Sequence, residues 1–164
     1  MNSPRKALFR KPHYAHIVQS SIGTCILIAV IAYISLVSER ALLIPPIGAT
    51  CYILFVLPDS AFAQPRNVLF GHFFSGITGL VFVHFWGNTW WAIAVSAGAA
   101  VAIMQLTHTN HPPATATNVL VTMQSKADWS LLFGPIIGGC LIATGIAVIY
   151  NKYILKRNYP HYWL

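Results

Sequence analysis

The chain has 164 residues, 56% of them hydrophobic and 8% charged, with a formal net charge of +7; its mean hydropathy is +0.62. A soluble fold of this length needs charge on every exposed helix face, and the long uncharged stretches here exclude one. The basic residues gather at the two ends, as Arg5, Lys6, Arg10 and Lys11 and as Lys152, Lys156 and Arg157, which excludes the basic stripe needed for nucleic acid and reads instead as cytoplasmic anchoring of membrane spans.

Along the chain, residues 1–16 form a short basic arm. Residues 17–37 are apolar and long enough to cross a bilayer core of ~30 Å as a helix of about 20 residues. No small-residue cleavage site follows them, so they read as a retained span and not a cleaved signal. Residues 41–57 are apolar but carry Pro45-Pro46 near their start and are too short to span unaided. Residues 68–86 and 90–107 are the second and third spans, joined by a turn at 87–89 between Trp86 and the pair Trp90 and Trp91. Residues 111–123 repeat the short pattern with Pro112-Pro113. Residues 131–150 are the fourth span, with Trp129, Tyr150 and Tyr153 at its ends. Aromatic rings so placed are the interfacial belt of a membrane protein. A basic tail at 152–164 puts both termini on the cytoplasmic side, and a bacterial inner membrane is the expected location. Cys25, Cys51 and Cys140 lie in apolar segments without C-x-x-C spacing, and read as buried small hydrophobes.

A proline pair cannot sit inside a helix but can open one. Each short stretch therefore predicts an extended entry followed by a half-helix. Irregular backbone at membrane depth survives only where protein or a watery cavity satisfies it, so the four spans should wrap both half-helices. The two stretches match: Pro45-Pro46-Ile47-Gly48-Ala49-Thr50 against Pro112-Pro113-Ala114-Thr115-Ala116-Thr117, at an offset of 67 residues. The same offset carries the first span onto the third, the second onto the fourth, and Gly71 onto Gly138. The expected fold class is an all-α membrane protein, with four transmembrane helices plus two half-helices in a two-fold internal repeat of residues 17–86 and 89–151. If each broken segment crosses the membrane the halves are inverted; if each dips in and returns they are parallel. Inversion is the preferred reading, because inverted repeats with broken helices recur in transporters. Gly71, Ser75 and Gly79, then Ala94, Gly98 and Ala102, then Gly134 and Gly138 recur at helical spacing and read as close-packing positions, some of them between subunits of a homo-oligomer.

The only acidic residues, Glu39, Asp59 and Asp128, fall in loops. Cation and proton pathways rest on intramembrane carboxylates, and hydrolases on paired carboxylates or a metal cluster. Both are disfavoured, a relay of histidines alone has little support, and no catalytic residue, metal or cofactor is assigned. What remains at mid-membrane is electropositive. Half-helices opening at Pro45, Pro46, Pro112 and Pro113 should present unpaired N–H groups and positive dipole ends, with the backbone at Gly48, Ala49, Thr115 and Ala116 as ligands for a small anion. Thr50, Asn110, His111, Thr117 and Asn118 add side-chain groups. The alternative is that these groups only satisfy one another around the breaks. His72 and His84 lie about 120° apart on one helix and cannot share a pathway; His72, close to Arg66, is the better pathway candidate.

The stretch Asn110-His111-Pro112-Pro113-Ala114-Thr115-Ala116-Thr117-Asn118 resembles the signature of the HPP family of small integral membrane proteins. Ile44-Pro45-Pro46-Ile47-Gly48-Ala49-Thr50 with Leu54-Phe55 is similar to the family's first block. Ala63-Gln64-Pro65-Arg66-Asn67 with Gly71-His72 is similar to its second, and Ala102-Ile103-Met104 fits ahead of the signature. The likeness covers residues 15–150. It departs at Ala114-Thr115-Ala116, where the family usually has Ala-Gly-Ala; a threonine there narrows the backbone approach and adds a hydroxyl, so substrate choice can differ. The resemblance implies four principal spans and, from plant plastid and cyanobacterial members, nitrite transport. It also points to Gln64, Arg66 and Asn67, with His72, as pathway or vestibule residues, Arg66 being either a site cation or a snorkelling interfacial one. The expected function is a transporter or channel for a small monovalent anion, nitrite favoured, in contact with lipid. The competing reading is a non-transporting membrane scaffold or assembly subunit. An intramembrane enzyme with His111 as base lacks a nucleophile or metal partner spaced for it.

Overall fold

A computed structural model describes residues 13–125 and 128–163. Most of the basic arm, and Lys126, lie outside the described residues. Among these residues the chain is helical throughout.

Helix α1 (Tyr14–Ser38) is apolar on all sides and ends where Glu39 turns left-handed at φ 54°. The chain re-enters in extended form, and α2 (Pro45–Val56) opens on its proline pair. A 3-10 turn (Ala61–Ala63), capped by the Ser60 hydroxyl on the Phe62 N–H, leads to α3 (Pro65–Trp86). Gly87, at φ 68°, ends α3, and α4 (Trp90–Leu106) follows directly. A second extended entry leads to α5 (Pro112–Thr122), which again opens on two prolines. Helix α6 (Trp129–Ile154) starts under an Asp128 cap and widens into π-type turns around Pro135 and at Ile149–Ile154. The Ser130 N–H donates to Asp128 at 2.7 Å, and its hydroxyl donates too; these bonds hold the Asp128 carboxyl below the usual carboxylate range.

Helices α1, α3 and α6, of 25, 22 and 26 residues, are long and apolar enough to cross a membrane. The third expected span is α4, whose 17 residues reach about 25 Å at 1.5 Å per residue. The apolar core lies between α1, α2 and α6, where Leu27, Ile31, Ile47, Cys51, Leu54, Leu132, Ile136 and Cys140 are fully buried and Phe55 meets Tyr150 edge-on at 5.5 Å. Helix α5 packs instead on α3, α4 and α2. Of the cysteines, Cys51 and Cys140 are buried as expected; Cys25, expected to be buried, is exposed, lining an open groove between α1 and α2 with Tyr52 and Val56.

Hydrogen bonds fix the helix ends. Tyr150 donates to the Gln19 carbonyl at 2.8 Å, and Arg157 donates to Gln19 Oε1 at 3.0 Å. His16 at the start of α1 bonds the Val56 carbonyl at the end of α2. Tyr159 donates to the Ala63 carbonyl at 2.7 Å, and the His161 N–H donates to Gln64 Oε1. One face of the bundle thus gathers the start of α1, the end of α2, the start of α3 and the end of α6. Within the expected 152–164 tail, residues 155–163 fold back beneath the 58–64 loop.

Candidate functional site: a histidine–threonine cluster

Where α2, α3 and α5 meet, four side chains from three helices and one helix cap form a closed hydrogen-bonded cluster. Thr50 Oγ1 lies 3.0 Å from His72 Nε2 and 3.0 Å from His111 Nε2. His72 Nδ1 lies 2.7 Å from Thr117 Oγ1, and His111 Nδ1 lies 2.8 Å from the Phe62 carbonyl. The two rings are 4.9 Å apart between centroids. Thr50, His72 and Thr117 are 0% exposed and His111 is 1% exposed.

Small residues on α3 make the approach possible. A Cβ on Gly71 would stand 2.8 Å from His111 Cβ and 3.0 Å from the Thr109 carbonyl oxygen, and one on Gly79 would stand 2.9 Å from Val121 Cβ. Between them Ser75 accepts, through its carbonyl, a bond from Asn118 Nδ2 at 3.1 Å. The Gly71–Ser75–Gly79 stripe is therefore the α3–α5 crossing, as close packing of small residues allows. The Ala94, Gly98 and Ala102 stripe of α4 faces outward.

The partners determine where each proton sits. The Phe62 oxygen only accepts, so His111 Nδ1 carries hydrogen, and in the neutral ring Nε2 is bare. That bare nitrogen needs a donor, which is the Thr50 hydroxyl. With its one proton committed, Thr50 can only accept from His72, so His72 carries hydrogen on Nε2 and its bare Nδ1 takes the Thr117 proton. One neutral arrangement satisfies all four ring nitrogens: Thr117 to His72 to Thr50 to His111 to Phe62. An unmatched buried polar group costs about 1–3 kcal/mol, so the cluster is held as a unit. Thr50 also stands 3.0 Å from the Pro46 carbonyl, a bond it cannot donate while serving His111.

A second polar patch adjoins it. Asn118 donates to the Ser75 carbonyl and to Ser96 Oγ at 2.9 Å, while its own Oδ1 finds no donor among the described residues. Asn67 Nδ2 donates to the Asn110 carbonyl at 3.1 Å, and Asn67 Oδ1 is likewise unmatched.

Other expected site residues lie elsewhere. Arg66 donates to the His108 and Thr107 carbonyls at 2.6 and 3.0 Å; it caps the end of α4, as basic groups do at helix C-termini. Gln64 is buried and clasps the Pro58 and Ser60 carbonyls. Gly48, Ala49 and Ala116 are exposed on the outer faces of α2 and α5, with Pro45 and Pro112, and Thr115 is half-buried. The expected free N–H groups at the two helix starts are not there. Pro45, Pro46, Pro112 and Pro113 have none to give, and the next donors, Ile47 N–H and Ala114 N–H, are spent on the cap carbonyls of Ile44 and His111 at 2.9 Å each. Polar side chains, not backbone donors, therefore line the meeting point of the short helices.

Sequence reasoning missed Ser75, Ser96 and the Phe62 carbonyl. It also kept His72 apart from His111, assigning one to a pathway and one to a site. A signal was present: Thr50 and Thr117 occupy the same place in the 67-residue register, and they hold the two nitrogens of His72.

Comparison with known proteins supports the membrane assignment. The family model described as HPP, transmembrane region, matches residues 9–160. A transmembrane protein of Dictyostelium discoideum is 35% identical over 133 residues, 77% of this chain and 47% of the relative. A second from the same organism is 29% identical over 153 residues, 89% of this chain and 49% of the relative. The chain spans about half the length of the curated relatives it matches. No solved structure matches it. With the His-Pro-Pro signature at the start of α5 and the match running through all six helices, the chain belongs to the HPP transmembrane family.

Proposed function

We propose that this chain carries a small monovalent anion across a membrane, with nitrite as the favoured substrate, and that it is not an enzyme. The observation that carries the reading is the sealed cluster of Thr50, His72, His111 and Thr117 inside the bundle. Ionisable groups within membrane spans are expensive and mark substrate or ion pathways. Asn118 and Asn67, each with an unmatched oxygen, extend the polar lining. With no carboxylate in the six helices, the interior favours an anion over a metal cation. Nitrite is what the resemblance to plastid and cyanobacterial members implies.

The starts of α1 and α3 lie beside the ends of α2, α4 and α6, which fits two inverted halves of three crossings each, with α2 and α5 as the broken members. The start of α1 and the end of α6 share one face, which fits both ends on one side of the membrane; in this reading that side is cytoplasmic, the membrane is a bacterial inner membrane, and copies of the chain assemble as a homo-oligomer. The second reading is a membrane scaffold without transport. It is favoured by one observation: the cluster's hydrogen bonds close on themselves.

Nitrite flux into liposomes holding the purified protein, with nitrate, formate, chloride and potassium as comparators, tests the two. Saturable nitrite entry that His111→Ala removes is expected. Folded protein that moves no anion would leave the scaffold.

A further inference from the structure

We propose that the His72–Thr50–His111 cluster is a proton site, so that the anion crosses with one proton as a net-neutral pair. The proposal rests on the transport reading and adds to it the co-substrate.

The geometry already holds a place for the extra proton. In the neutral arrangement His111 Nε2 is bare and accepts from Thr50. A proton delivered from water of the adjoining face forms one N–H bond at that nitrogen. His111 then donates through both nitrogens, to Phe62 and to Thr50 Oγ1. The Thr50 hydroxyl proton turns to the Pro46 carbonyl, which stands 3.0 Å away. His72 Nε2–H continues to donate to the same Thr50 oxygen through its second lone pair. One hydroxyl rotation accommodates the charge and no other bond in the cluster breaks.

Among the described residues the surroundings offer that charge no counter-ion. Helix α2 presents Thr50 and carries the buried Cys51; α5 presents Thr117; the 3-10 turn presents the Phe62 carbonyl. Helix α4 has no titratable side chain, and α6 adds buried Cys140 to the core. On α3, Arg66 is turned to the Thr107 and His108 carbonyls. Asp59 pairs with His161, and Arg157 bonds His16, at the end of the bundle. A lone proton would thus be an uncompensated buried charge, which burial disfavours. A monovalent anion beside it removes that penalty, and by linkage each raises the affinity for the other by the same factor. Mutual dependence of this kind is what couples two fluxes.

The test uses vesicles with a trapped pH dye, an inward nitrite gradient and a membrane potential set by potassium and valinomycin, with protein-free vesicles correcting for passive nitrous acid. Internal acidification matching nitrite entry one for one, with entry insensitive to voltage, is expected. Thr50→Val keeps both rings but removes their link, and should lower the protons moved per nitrite that still enters below one; Thr50→Ser keeps the hydroxyl and restores the one-for-one ratio. Voltage-driven nitrite entry without proton movement in the unaltered chain overturns the proposal and leaves transport standing. If no nitrite moves, the transport reading falls, and ring-nitrogen NMR in bilayer discs with excess nitrite decides the proton site. One titration step shared by both rings and abolished in Thr50→Val upholds it; rings that titrate separately, or not at all between about pH 8 and about pH 5, overturn it.

Discussion

The two proline-opened helices begin alike and end as different materials. Helix α2 places Ile44, Cys51 and Phe55 where α5, 67 residues on, places His111, Asn118 and Thr122. The first set is buried in the apolar cluster with α1 and α6, while the second bonds to Phe62, Ser75, Ser96 and its own backbone. Beyond the proline pair and the outward Ala49 and Ala116, the threonine, Thr50 or Thr117, is kept at the corresponding place, and both threonines grip His72. One short helix thus anchors the bundle by packing, and the other supplies the polar groups. Two short helices that open alike can divide the work, one packing and the other carrying the polar groups, since a polar set buried in both would need twice as many matched partners.

Exchanging the two sets should break this division. Cys51→Asn, which gives α2 the amide that α5 has, buries a group with no partner in an apolar cluster and should destabilise the protein by about 3 kcal/mol, read from the unfolding midpoint in detergent. An unchanged midpoint would mean that α2 is not packed as described. Gly71→Ala pushes against His111 Cβ and the Thr109 carbonyl and should cost about 2 kcal/mol. The same change at Gly138, whose added Cβ would meet nothing nearer than 3.7 Å, should be neutral or slightly stabilising; equal effects at the two sites would remove the asymmetry. His111→Ile gives α5 the cap residue of α2. It leaves the Phe62 carbonyl without its donor and removes the Thr50 hydroxyl's acceptor, should cost about 1 kcal/mol, and should abolish nitrite entry while the protein stays folded. The smallest effects belong to the outward positions: Gly48→Ala and Thr115→Val should move the midpoint by no more than about 1 kcal/mol. A change of anion selectivity in either would put the anion on the outer faces of α2 and α5 and count against the interior cluster.

Much of the local structure was legible because it depends on local chemistry. Proline at Pro45, Pro65 and Pro112 opens a helix each time, because the missing N–H is one the first turn does not need. Gly87 ends α3, and the tryptophans flank the turn they bracket. The expectation of free backbone donors at the two helix starts met the same chemistry. A helix started by two prolines has lost the donors that would have made it an anion site, and this could have been deduced from the residue type alone. The pairing of His72 with His111 could not, since 39 positions separate them and one sits on α3 while the other caps α5.

By itself the sequence determined that this chain is a helical membrane protein and where each helix lies to within a few residues, α3 starting at Pro65 where 68 was expected and α6 running to Ile154 where 150 was expected, and that two short stretches match at one offset. Only the tertiary structure decided which faces turn inward. In water an apolar stripe must face the core, so periodicity reveals the interior. In a bilayer the lipid tails are as apolar as the core, and a helix such as α1, apolar all round, says nothing about its buried side. The inward faces were set instead by where backbones can touch, at Gly71 and Gly79 of α3, and by the demand that each buried ring nitrogen find a partner.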